Sequence, residues 1–141
     1  MSTPVTTTAC RRLFGTALKG ATPFPATNHF EVHLFKTAVT PVIGSVPGDF
    51  TDCTFTGYAA RDHVYGDNPD PVADGTFQTV TPIGSPYSWD CTAAPDTVYG
   101  WWIRDVTNDV VLFAEKYDVP HVLAVGSRHT LDLKIRFGQI G

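Results

Sequence analysis

From position 29 onward, apolar and polar side chains alternate in short runs. In His29–Leu34 the apolar Phe30, Val32 and Leu34 fall on one side and His29, Glu31 and His33 on the other. That period of two predicts a half-buried strand. Strand-forming residues recur over Thr54–Ala60, Thr76–Ile83, Tyr87–Ala93, Thr97–Val106, Val110–Val119 and His129–Phe137. In the last of these, Leu131, Leu133, Ile135 and Phe137 point inward while Thr130, Asp132, Lys134 and Arg136 point outward. The polar triplet Thr107-Asn108-Asp109 between two β-rich runs predicts a hairpin. Thr40–Asp49 and Gly66–Gly75 read as loops, the second holding two prolines and three aspartates in ten residues. Gly57, inside a strand-like run, predicts a bulge or a close backbone approach. About seven or eight strands without a helix predict an all-β fold. The expected form is an antiparallel β-sandwich, jelly-roll or immunoglobulin-like, with a small barrel as the other architecture this spacing allows.

The first 28 residues differ. Met1–Thr8 is polar, Leu13–Lys19 has room for one helical turn, and Pro23 and Pro25 preclude a continuous helix or a central strand. An N-terminal arm over 1–28 followed by one domain over 29–141 is the expected division. Composition supports a strand-and-turn protein: charged residues are only 17% of the chain, with 12 Gly and 11 Pro. A net charge of −4, with Arg11-Arg12 the one adjacent basic pair, lacks the electrostatic footprint of a nucleic-acid binder. The three cysteines, Cys10, Cys53 and Cys91, are far apart and predict buried free thiols in place of a disulfide framework or zinc knuckle. No run approaches a membrane span, and the basic pair follows a polar segment where a signal peptide needs the reverse. Synthesis on the cytosolic side is therefore expected.

Candidate chemistry is sparse. His29-x-Glu31-x-His33 places two imidazoles and a carboxylate on one side of a strand, a spacing that suits adjacent corners of a zinc site. His63, His121 and His129 are the further ligands available to it. The competing reading is an ordinary polar, solvent-facing strand surface. Asp67, Asn68, Asp70 and Asp74 offer hard oxygen ligands of the kind calcium takes, yet the EF-hand offsets are missing and a solvated turn explains them better. No G-x-S-x-G elbow, P-loop or dinucleotide fingerprint occurs. In the aromatic run, Tyr99, Trp101 and Ile103 should share one face, and Gly100 and Trp102 the other. A central core strand is the leading expectation, with burial against a neighbouring chain second and a sugar platform third. Interface candidates are accordingly Trp101 and Trp102, with Arg11, Arg12, Leu13 and Phe14 on the arm.

Several short motifs follow one another in a particular order: His33-Leu34-Phe35-Lys36-Thr37 to Thr40-Pro41, Asp49-Phe50-Thr51, Thr54-Phe55-Thr56-Gly57-Tyr58-Ala59, Val98-Tyr99-Gly100-Trp101, then Val110–Glu115 and Pro120. This order resembles small virion structural proteins of tailed bacteriophages and related environmental viruses, over about residues 29–137. The resemblance implies an all-β domain attached to a capsid or tail that works by binding, without catalysis, cofactor or active-site residues. The expected role is a minor capsid or head-decoration protein, homo-oligomeric on the particle. Its expected partners are the major capsid protein or other virion proteins, without nucleic acid or membrane. Its location would be the virion after synthesis in the host cytoplasm. A tail-associated module that binds a receptor or glycan is the alternative.

Overall fold

The computed structural model describes residues 30–63, 72–74, 77–80, 86–133 and 135–139. Strands dominate them, all paired antiparallel, and the described residues contain no α-helix. β1 (Phe30–Phe35), β2 (Arg61–His63), β6 (Asp96–Asp105) and β7 (Val110–Leu123) form a four-stranded sheet in the order β2-β1-β6-β7. β3 (Val72–Asp74), β4 (Phe77–Val80) and β9 (Ile135–Gln139) form a second sheet in the order β3-β4-β9. β5 (Tyr87–Asp90) pairs with β8 (Arg128–Leu131) as a third. The all-β expectation therefore holds, with nine strands among the described residues where seven or eight were expected.

The main sheet is covered on both faces. Phe30, Val32 and Leu34 of β1 join Trp101 and Ile103 of β6, Leu112 and Phe113 of β7, and Trp89 of β5 in one apolar cluster. On the opposite face Phe35, Phe50, Trp102, Val111 and Ala114 form a second. β1 is thus packed on both sides, and its supposed polar face is largely covered: His33 is only 4% exposed, while Glu31 keeps a partly exposed side chain. Alternation identified the strand but not what covers its second face, because a loop distant in sequence brings Phe50 there.

Two irregularities reset the phase of the β6–β7 hairpin. Ile103 pairs with Phe113 and Arg104 with Val111, leaving Leu112 as an extra residue, so neighbours Leu112 and Phe113 both enter the first cluster. Farther along, Val98 pairs with His121 and Gly100 with Lys116, so Tyr117–Pro120 stand opposite Tyr99 alone. Pro120, which has no N–H to donate, sits in this unladdered stretch, and β7 continues past it to Leu123. The same shift moves Tyr99 to the Trp102 side and Val98 to the Trp101 side, reversing the face expected for Tyr99. The turn itself is as expected. The Asp105 carboxylate accepts from the Asn108 backbone N–H (3.1 Å) and from Asn108 Nδ2 (2.8 Å), and Asp109 takes φ 52°.

Three further expectations change. Thr54–Ala60 is not a strand. It makes a single bridge, Thr56 to Ala93, and turns at Gly57 (φ 104°), where a Cβ would lie 2.1 Å from the Asp90 carbonyl oxygen. The close approach expected of Gly57 is real, and it ends regular pairing instead of merely denting it. Val72–Asp74, inside the supposed loop Gly66–Gly75, is a strand paired with β4. The run His129–Phe137 is two strands that serve different sheets, β8 pairing with β5 and β9 with β4. Alternation continues through the hand-over, with Leu131 and Leu133 both buried, so the pattern does not mark it.

Candidate functional site

Glu31 and His33 do lie on one side of β1, two positions apart, and the fold adds Asp52. His33 Nδ1 is 2.7 Å from Asp52 Oδ2, and His33 Nε2 is 3.1 Å from Glu31 Oε2. The bridge between Phe35 and Asp52 delivers that carboxylate, and Cys53 N–H donates to the Leu34 carbonyl (3.0 Å) beside it. The His33 ring is sandwiched at 4.5 Å against Trp102, which is itself stacked on Phe50 at 5.2 Å. Trp102 Nε1 donates to the other oxygen of Asp52 at 3.2 Å. Both ring nitrogens of His33 thus lie against carboxylates, from Asp52 on one side and Glu31 on the other. His33 therefore works as a strut between β1, the Asp52 segment and β6. Of the expected metal set, Glu31 and His33 are thus brought together, with Asp52 added; His29 lies outside the described residues.

Trp101 and Trp102 are each 3% exposed, within the two clusters on either face of β6. Each ring packs within its own chain, and the leading expectation, a central strand, holds, with β6 between β1 and β7. Trp89 is fully buried and donates Nε1–H to the Ala59 carbonyl at 2.7 Å, with the Arg61 guanidinium 5.7 Å above its ring. Among the described residues no tryptophan is left as a platform for stacking sugars. Arg11, Arg12, Leu13 and Phe14, with the rest of the arm, lie outside the described residues. So do Asp67, Asn68 and Asp70; Asp74 falls in β3.

The described thiols are buried and unpaired, as expected for Cys53 and Cys91. Burial, reinforced by the Asp96 and Asp52 carboxylates, pushes the Cys53 thiol up to about 12. A thiol that stays protonated is no nucleophile. Among the described residues no group of three His, Cys, Asp or Glu side chains is placed to hold a metal.

A second polar cluster escaped the sequence motifs because its members sit eight and twelve residues apart. His129 on β8 is 3% exposed and lies between Trp89, Tyr117 and His121. Its Nε2 is 3.1 Å from the Tyr117 hydroxyl, and its Nδ1 is 3.4 Å from His121 Nδ1. Burial, with the neighbouring His121, pulls the His129 imidazole down to about 4 from its ordinary 6.5. The native state thus resists a proton that the unfolded chain accepts. Stability is complete above pH 6.5 and falls as pH drops from there towards 4, because in that window the unfolded state binds more protons. At about 1.4 kcal/mol per pKa unit, the loss is on the order of 3 kcal/mol. Urea denaturation at pH 7 and at pH 4.5 should show this loss in the wild type, and His129→Gln should remove most of the difference. Equal slopes in both proteins would contradict the assignment.

No family model matches the chain. The comparison with curated proteins yields no match either.

Proposed function

We propose that the chain is a non-enzymatic structural protein of a virion, a minor capsid or decoration protein that binds the particle surface or neighbouring copies. The motif order that resembles phage virion proteins supports this reading, and so does the use to which the motif residues are put. Gly57 and Gly100 are positions of close backbone approach. Tyr58 Oη accepts the Leu34 N–H at 3.1 Å, and Trp101 is core. Those positions build a framework. Chemistry-bearing side chains are spent the same way: His33 is braced by two carboxylates and Cys53 is protonated and buried. We further propose that the sheets pack as an antiparallel sandwich of jelly-roll or immunoglobulin type, since both faces of the main sheet are covered.

The observation that carries a binding role is the placement of exposed aliphatic side chains. Val42, Ile43 and Val46 are 55–63% exposed in the Thr40–Asp49 loop, and Val119, Val122 and Val125 are 57–79% exposed around the end of β7. Single exposed aliphatics are ordinary, but two groups of three within short segments suit contact with other subunits. The partners proposed are the major capsid protein, other virion proteins or further copies of this chain. Val119→Lys with Val122→Lys should cut incorporation into particles at least about tenfold, since two charges would be buried at a contact. Circular dichroism should be unchanged. Undiminished incorporation of this variant and of the matching Val42→Lys/Ile43→Lys variant would contradict the proposal.

A further inference from the structure

We propose that His121 and His129 form a binding site for a divalent metal ion of the zinc type, bridging the main sheet and the β5–β8 sheet. The site is independent of the virion role. His121 comes from β7 and His129 from β8, on either side of the turn that contains Gly126 (φ 84°). Their Nδ1 atoms are 3.4 Å apart, long for a hydrogen bond. That separation is nevertheless the edge of a tetrahedral site, because two bonds of about 2.0–2.1 Å at the tetrahedral angle put their nitrogens about 3.3–3.4 Å apart. The rings are inclined by 60°, with centroids 5.2 Å apart, so they converge instead of stacking.

Tyr117 completes the arrangement from outside. Its hydroxyl lies 3.1 Å from His129 Nε2, and its ring stacks on His121 at 4.8 Å with 24° between the planes. When Nε2–H donates to the hydroxyl, the lone pair of His129 stands on Nδ1, facing His121. An outer-shell partner that fixes tautomer and ring orientation is a regular companion of metal-bound histidine. His121 is exposed, so an ion can enter from solvent, while His129 is held by Trp89 and Tyr117 behind it. Two imidazoles supply two corners, and water takes the others. The ion would then exchange readily, and zinc, cobalt and nickel would all suit the nitrogen ligands.

The test uses the full chain, stripped with chelator and titrated with zinc chloride by calorimetry, with cobalt as an optical probe. One ion per chain should bind, and zinc should raise the unfolding temperature, since the unfolded chain lacks the paired geometry. His121→Phe keeps the stack on Tyr117 but removes the nitrogen, and should weaken zinc at least about tenfold; Tyr117→Phe should weaken it by about tenfold through loss of orientation. Dichroism establishes that both variants remain folded. Absence of zinc binding by the wild type at about 1 mM would overturn the proposal. Binding that survives His121→Phe but is lost in His33→Ala would overturn it too, by placing the ion beside β1.

Discussion

Gly100→Ala is expected to destabilise the protein by about 3 kcal/mol or more, a large share of the roughly 5–15 kcal/mol that holds a domain folded. Gly100 lies mid-strand in β6, opposite Phe35 on one side and Lys116 on the other. A Cβ there would stand 2.1 Å from the Glu115 carbonyl oxygen and 2.5 Å from Phe35 Cζ. The Phe35 ring is fully buried and packs on Phe50, so it has nowhere to turn, and the carbonyl belongs to the neighbouring strand. Relief has to come from moving β6 against β7. Gly44→Ala is the control: its Cβ meets nothing within 4 Å, and the change should fall within about 0.5 kcal/mol of wild type. Denaturant midpoints of the two variants check this, and a Gly100→Ala protein as stable as Gly44→Ala would refute the packing account.

Trp89→Ala is expected to cost about 3–5 kcal/mol, the range for removing a fully buried large aromatic side chain. The Trp89 ring joins three parts of the molecule. It lies 6.4 Å from Tyr87 and 6.2 Å from His129, under the Arg61 guanidinium of β2, with Nε1–H on the Ala59 carbonyl. Its loss would open a cavity between the β5–β8 sheet and the main cluster and remove the wall behind His129. Trp89→Phe should cost distinctly less, because most of the ring's packing is kept and exposed Ala59 can return its carbonyl to water. The two variants compared by chemical denaturation give the test, and equal losses would mean that the hydrogen bond, not the packing, dominates.

Period-two alternation was enough to place β1, and runs of β-prone and aromatic residues placed β5, β6, β7 and the hairpin turn, because those side chains fill the main cluster. What it could not convey is what lies over the other face. His29-Glu31-His33 read as a polar surface or a metal edge, and only the fold brings Asp52, Phe50 and Trp102 over His33. Bulges were also hidden. Each inserts residues without leaving the β-prone vocabulary, so Tyr99 changes face and Leu112 joins Phe113 without any break in composition. The sheet change after Leu131 was invisible for a related reason: a strand that leaves one sheet and enters another keeps the same inward set. His121, Tyr117 and His129 were legible only as isolated residues, since their proximity depends on the long insertion that ends at Pro120 and on the β8 partner of Trp89.

The proposed role is binding, and attachment to a particle is its most direct consequence. Purified particles from an infection that expresses the chain should carry it in a fixed copy ratio to the major capsid protein, retained through a density gradient and visible as added density on the shell or tail. Particles that form normally without the chain, while it remains soluble and free in the lysate, would contradict the account.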